Sequence, residues 1–358
     1  MILESTLAER LVQQFLEVLR ELPDTHAEIG LWHTGRYDAQ IDLRVAGTSL
    51  VLWVETKSAV YPRDVHQVLW QFMETKHRSP KTRGKPPLSI LVAESISPGA
   101  KKLLRDERVG YYDSGGSLYL PALGAYIYID KPPPKTFAKS MGALFSGRRA
   151  QVLHALLVRY QDWFGGKELA ELAMVSPATV SQVLTELDRF DWLMSRGQGP
   201  SKERHLREPA ALLDAWAKQL ASSRPLNLRR YYVPGAKGDA LMARVANAFD
   251  AFDAGYAISH EAAAQRYTPF LSAVSQVRVR LVIGSRAEAA IADLDARVVS
   301  EGANLAIIEA KSPGELLFRE RVGDAWLASP IQVYLDLLRG EGRSKEMAEH
   351  LRKEKIGF

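Results

Sequence analysis

The sequence predicts a multidomain protein of mixed α/β (α+β) class, and three observations predict it. Strand-like and helix-like stretches alternate through residues 1–135. Short amphipathic helices followed by a basic hairpin fill residues 140–221, and strand–helix alternation resumes over residues 225–358. Two low-structure joints separate the segments. Lys131-Pro132-Pro133-Pro134-Lys135 offers few backbone donors and reads as a stiff extended linker, and Ser222-Ser223-Arg224-Pro225 marks the second boundary.

Composition narrows the functional classes. A chain of 358 residues, 46% of them hydrophobic, exceeds one ordinary domain and can bury several cores. No cysteine is present, which excludes disulfides, thiolate zinc sites and cysteine nucleophiles. The eight histidines are scattered and show no metal-ligand spacing. A net charge of +5 permits a polyanionic partner without requiring one. No apolar run approaches the ~18 residues of a membrane helix, and the N-terminus is acidic where a signal peptide is basic, so a cytoplasmic protein with no membrane partner is expected.

In the first segment, Leu7, Leu11, Phe15, Val18, Leu19 and Leu22 form one apolar stripe and predict a helix over residues 3–22. Strand-like runs follow at 27–32, 39–45 and 49–54, a helix at 63–76, a basic proline-bearing loop at 76–87 and a continuous apolar strand at 88–93. Ser97-Pro98 starts a further helix to Glu107, and strands are expected at 110–113 and 125–130.

In the central segment Val152, Leu153, Leu156, Leu157 and Tyr160 carry a first helix, and Leu169, Leu172 and Ala173 a short second one. Ser176-Pro177 is a strong start signal for the third, because the Ser hydroxyl accepts from free N–H groups and Pro is preset for the first helical position. Val180, Val183, Leu184 and Leu187 turn inward, leaving Thr179, Ser181, Gln182, Thr185, Glu186 and Arg189 towards the other side. Trp192-Leu193-Met194 and His205-Leu206 then flank a glycine-rich turn, in a hairpin carrying Arg196, Lys202, Arg204 and Arg207 against Glu203. This is the pattern of a winged helix-turn-helix, with small polar groups for base edges on the third helix and cations for phosphates on the wing. A small helical bundle with a solvated hairpin is the alternative.

The last segment shows helix signals at 239–252, 260–266, 330–339 and 345–353 and strands at 277–282 and 305–308.

One constellation suggests chemistry. Glu55 and Lys57 alternate onto one side of an apolar strand, and Asp42 occupies the strand before it. Two carboxylates and an amine round one point suit phosphodiester hydrolysis, in which carboxylates hold Mg2+ and the amine neutralises developing charge. An ordinary charged strand end is the alternative. The arrangement of helix, Asp42, and Glu55-Thr56-Lys57 closing an apolar strand resembles the PD-(D/E)XK (restriction-endonuclease-like) fold. The resemblance implies Asp42, Glu55 and Lys57 as catalytic residues with Gln67 in support, and Asp42 and Glu55 as the metal ligands of an active site. Glu9 and Glu17 are the acids its first helix offers, and Ile41 stands where the family name has Pro.

The chain as a whole resembles AbiEi-type antitoxins and transcriptional regulators of type IV toxin–antitoxin systems. The resemblance is carried by Val54-Glu55-Thr56-Lys57-Ser58, by Pro98-Gly99-Ala100 to Leu104, and by Val109-Gly110-Tyr111-Tyr112-Asp113-Ser114-Gly115-Gly116-Ser117. The runs 256–264 and 329–338 carry it in the C-terminal segment, which makes an α/β AbiEi-like domain the expectation there. The family's wing usually stands at the N-terminus, whereas this one is central. The resemblance implies DNA-binding autoregulation and opposition to a nucleotidyltransferase-like toxin. A DNA-binding regulator that needs no cofactor to bind double-stranded DNA, as a dimer by analogy, is thus the first expectation. A Mg2+-dependent nuclease targeted by its winged helix is the second, and a sensing or interaction role for the C-terminal domain the third. Glu309-Ala310-Lys311-Ser312, preceded by Asp293 and Asp295, repeats the Glu-x-Lys-Ser pattern, either as a distant second copy or, the favoured reading, as a chance strand end.

Overall fold

The structure, a computed structural model, describes residues 2–32, 35, 37–78, 87–122, 125–132, 141–221, 227–271 and 273–358. Most of the basic loop at 76–87, residues 133–135 of the proline linker, and the boundary at 222–225 lie outside the described residues. The fold is mixed α/β, and the chain groups into two compact units, Met1–Gly142 with Thr185–Asp191, and Ala143–Leu184 with Trp192–Phe358. Among the described residues no helix is long and apolar enough to cross a membrane.

The first unit is a seven-stranded sheet in sequential order: β1 (Thr25–Trp32), β2 (Ala39–Val45), β3 (Thr48–Val60), β4 (Leu88–Ile96), β5 (Gly110–Asp113), β6 (Leu118–Ala122) and β7 (Ala125–Ile129). Neighbours run antiparallel except β3–β4 and β4–β5, which are parallel. Parallel pairs need crossovers, and the helices α2 (Pro62–Arg78) and α3 (Pro98–Asp106) supply them. Helix α1 (Ile2–Glu21) lays Leu11, Val12, Phe15 and Leu19 on Ile41, Leu43, Leu52, Val54, Ile90 and Val92. The alternate residues Leu91, Ala93 and Tyr111 meet Val65, Val68, Phe72, Ala100 and Leu104 of α2 and α3 on the opposite face. Each strand therefore splits its side chains between two cores. Strand β3 extends six residues beyond the predicted end, so Glu55 and Lys57 stand inside it.

The β2–β3 register follows from a two-residue turn. Ala46 and Gly47 both have positive φ (47° and 76°), the twist a two-residue hairpin demands, and Val45 then faces Thr48. Under α3, the Lys101 ammonium lies 2.7 Å from Asp113 Oδ2 and donates to Ser117 Oγ at 2.6 Å, with all three side chains buried. That buried ion pair pins the 114–117 turn to the helix.

The second unit begins with α4 (Gly147–Val158), α5 (Gly166–Leu172) and the first part of α6 (Pro177–Arg189), whose residues from Thr185 onward group with the first unit. Ser176 Oγ accepts from Thr179 N at 3.3 Å, the capping expected of Ser-Pro. Strands β8 (Phe164–Gly165), β9 (Leu193–Arg196) and β10 (Glu203–Leu206) form a small antiparallel sheet in the order β8-β10-β9, followed by α7 (Pro209–Ala221).

A second seven-stranded sheet, β14-β11-β15-β13-β12-β17-β16, completes the unit. Its strands are β11 (Leu228–Tyr232), β12 (Tyr256–Ser259), β13 (Val277–Val282), β14 (Arg297–Val298), β15 (Leu305–Ala310), β16 (Glu320–Val322) and β17 (Ala325–Leu327). Helix α8 (Gly238–Ala251) packs with α10 (Ser285–Asp293), while α9 (His260–Tyr267) packs with α11 (Pro330–Leu337) and α12 (Ser344–Leu351). The three-helix segment is tied to this sheet region: buried His154 of α4 shares a 2.5 Å hydrogen bond with Ser329, the N-cap of α11, and Arg352 donates to Asp214 of α7 at 2.6 Å.

Candidate nucleic-acid interface and carboxylate cluster

The sequence places Asp42 with Glu55 and Lys57, and the structure brings a different aspartate there. In the β2–β3 register Asp42 faces Val51, four residues or ~13 Å along the strand from Glu55. Its Oδ1 accepts from Gln40 Nε2 at 3.2 Å, and across the sheet it faces Glu28. Counting from the Ala46-Gly47 turn, Ala39 faces Val54 and Asp38 comes level with Glu55, with Asp38 N donating to Val54 O at 2.9 Å. Asp38 is fixed from the far side as well, since its Oδ2 accepts from Thr56 N (2.8 Å) and Thr56 Oγ1 (2.6 Å).

Glu55 and Lys57 do share a side, with Lys57 Nζ 3.6 Å from Glu55 Oε1. They pair in register with Leu91 and Ala93 of β4, so they point to the sheet face that α2 and α3 cover. Burial raises the Glu55 pKa first, and the nearby Asp38 charge raises it further, against the lowering pull of Lys57. Two carboxyls that repel thus stand near each other, Glu55 in β3 and Asp38 in the bend just before β2, with the Lys57 ammonium 3.6 Å from Glu55. Gln67 is exposed on α2, and Glu9 and Glu17 are exposed on α1. Among the described residues no group of three or more His, Asp or Glu side chains could hold a metal ion.

On α6, Val180, Val183, Leu184 and Leu187 are buried. Ser181, Gln182, Thr185 and Arg189 are exposed and Thr179 is partly so. Arg189 donates to Glu186 at 3.2 Å. In the hairpin Arg196 stands opposite Glu203, pairs with it at 2.6 Å, and lies over the Trp163 ring at 4.3 Å. Stacking and pairing together hold one guanidinium at a set place beside the hairpin. Lys202 and Arg204 are partly exposed, while Arg207 is exposed and 3.5 Å from Glu208. Sequence reasoning missed Arg149, which donates from α4 to Gln182 Oε1 at 3.1 Å. Its basic position at the start of a helix was visible, but not its neighbour 33 residues on.

A further polar cluster escaped the sequence altogether. Arg280 of β13 forms a bidentate pair with Asp336 of α11 (2.8 and 2.5 Å), and Ser259 and Gln332 also donate to that carboxylate. Although burial works against ionisation, Arg280 and its partners draw the Asp336 pKa down to about 2. A saturated, buried network of this kind holds structure together and exposes no reacting atom. The second Glu-x-Lys also finds a structural use, since Glu309 accepts from Arg229 at 2.5 Å and the same guanidinium reaches Glu288 at 2.9 Å. Asp293 ends α10 and Asp295 sits in the turn after it, both exposed.

What fold and site define is a mixed α/β chain bearing a helix with a polar face, a basic hairpin and a half-buried carboxylate pair. No protein-family model matches the chain, and no curated protein or solved structure is significantly similar to it.

Proposed function

We propose that this chain is a sequence-specific DNA-binding transcriptional regulator, an autoregulating repressor of the antitoxin type, built round a central winged helix-turn-helix. The observation that carries the reading is α6, with Ser181, Gln182 and Thr185 exposed, in the same segment as a hairpin bearing Arg196, Lys202, Arg204 and Arg207. Small polar side chains enter a major groove and reach base edges, while flanking cations hold phosphates and set the register. The antitoxin part rests on the resemblance of residues 109–117, 256–264 and 329–338, and with it comes a nucleotidyltransferase-like toxin as partner. Binding to DNA from upstream of its own gene should weaken steeply with salt, with a log–log slope of roughly 0.9 per phosphate neutralised. Fluorescence anisotropy across a salt series measures it, and Arg204→Ala should lower the slope by about one unit. A salt-independent affinity would remove the hairpin as an anchor.

A second reading is favoured by the carboxylate pair. A PD-(D/E)XK-like first unit would use Asp38 and Glu55 as oxygen donors to Mg2+, a hard cation that one or two carboxylates suffice to hold. The residues fit: both are carboxylates, and their mutual repulsion is what a cation relieves. Bound there, Mg2+ would supply polarisation of a phosphoryl oxygen. Lys57 would neutralise developing charge and place the attacking water. Plasmid nicking with Mg2+ that vanishes in Glu55→Gln and Asp38→Asn but persists in Asp42→Asn would establish this activity. Equal background in all four proteins would leave the first unit as a scaffold.

A further inference from the structure

Arg149 of α4 fixes the side chain of Gln182 on the exposed face of α6 by a hydrogen bond. Arg149 lies in the first turn of α4 and its Nη2 donates to Gln182 Oε1 at 3.1 Å. A guanidinium has donors alone, so it can bond the amide through the oxygen and not through the nitrogen. The contact therefore decides which end of the amide faces outward: Oε1 is engaged and Nε2, with two N–H groups, is presented. Gln182 is exposed and Arg149 partly so, as a groove contact requires.

A glutamine with both ends at its disposal reads adenine, donating to N7 and accepting from the N6 amine. With its oxygen held against Arg149 on one of two lone pairs, Gln182 turns its two N–H donors outward, and the Arg149 guanidinium adds more donors while its positive charge disfavours a second donor at that oxygen. A surface made of donors complements guanine, whose major-groove edge shows the two acceptors N7 and O6, and opposes the amines of adenine and cytosine. We propose that Arg149 is a positioning residue that turns Gln182 into a donor and so makes the pair read guanine in the major groove. This rests on the DNA-binding reading above and adds the base it selects and the residue that sets the choice.

Selection from a random duplex library, read by sequencing, tests it. Wild type should enrich guanine at one position. Arg149→Ala frees the amide and should move that position towards adenine, a change in relative affinity on the order of tenfold, with the other positions unchanged. Arg149→Lys, which keeps a donor, should retain guanine, and Gln182→Ala should lose the preference at that position. All the substituted side chains reach the surface, and thermal melts confirm that each variant folds. A purely structural role for Arg149 would alter affinity for every sequence alike and leave the base choice in place. The proposal is overturned if Arg149→Ala keeps the wild-type preference and loses only salt slope, since Arg149 is then a phosphate anchor, or if Gln182→Ala selects the wild-type site. A wild-type protein that enriches no sequence removes the DNA-binding reading itself. An enriched site that ignores Arg149 removes the pair alone.

Discussion

Glu55 in the first unit and Asp336 in the second are both carboxyls withdrawn from water, and their surroundings drive them in opposite directions. Glu55 meets a second carboxyl across the strand pair and one ammonium at 3.6 Å, and its pKa rises. Asp336 receives two bonds from one guanidinium and others from Ser259 and Gln332, and its pKa falls to about 2. The first arrangement sets two carboxyls against one ammonium, and the second spends every lone pair on holding elements together. Under the second reading proposed above a cation would relieve repulsion of the first kind, whereas satisfaction of the second kind marks a structural joint.

The largest effect should come from breaking the satisfied site. Asp336→Ala strips buried Arg280 of its bidentate partner and leaves Glu315, 3.7 Å away, as the acid facing it, and should destabilise the second unit by about 3–5 kcal/mol in denaturant unfolding. A cost below about 1 kcal/mol would mean that water reaches the arginine.

Acid should come next. Burial holds the His154 pKa down at about 4, helped by Arg280 and opposed by Asp336. His260 is also lowered by burial, with Arg278 and Arg280 adding to the effect and Asp336 and Glu261 opposing it. The unfolded chain then binds protons near pH 6.5 that the native unit refuses, so stability falls as pH drops from about 6.5 to about 4. Protonation of Asp336 extends the loss below pH 4. The melting temperature should fall by more than about 5 °C between pH 7 and 4.5, and His154→Gln should flatten the curve.

The smallest effects separate the two Glu-x-Lys-Ser strands. A raised pKa means that native Glu55 holds its proton to higher pH than the unfolded chain does, so its ionisation opposes folding at neutral pH. Glu55→Gln should leave the melting temperature unchanged or raise it by up to about 4 °C. Glu309→Gln breaks a half-exposed pair and should lower stability by less than about 1 kcal/mol. The opposite signs distinguish a strained strand end from a paired one.

Much of this was legible from local rules. Ser176-Pro177 announced α6, and the alternation of β3 put Glu55 and Lys57 on one side. The β2 partner was not found, because Asp42 matched a spacing while position depends on register. The signal was present in Ala46-Gly47, whose two-residue turn ties Val45 to Thr48 and carries Asp38 to Glu55. Strand β6 was not expected, since Leu118–Ala122 carries Pro121 next to its end and shows no clean alternation. Arg149, His154 and Arg280 were beyond reach, because their partners lie 33, 175 and 56 residues away.

The Ala46-Gly47 turn works as a ruler. One residue added to it would carry Asp38 past Glu55 by a single pleat, and the same slip would turn Ile41 and Leu43 out of the core beneath α1. Any variant that keeps its core must also keep the carboxylates abreast. The spacing of the polar pair is thus inherited by descent along with the apolar face of the same hairpin, whether or not the pair itself is under selection.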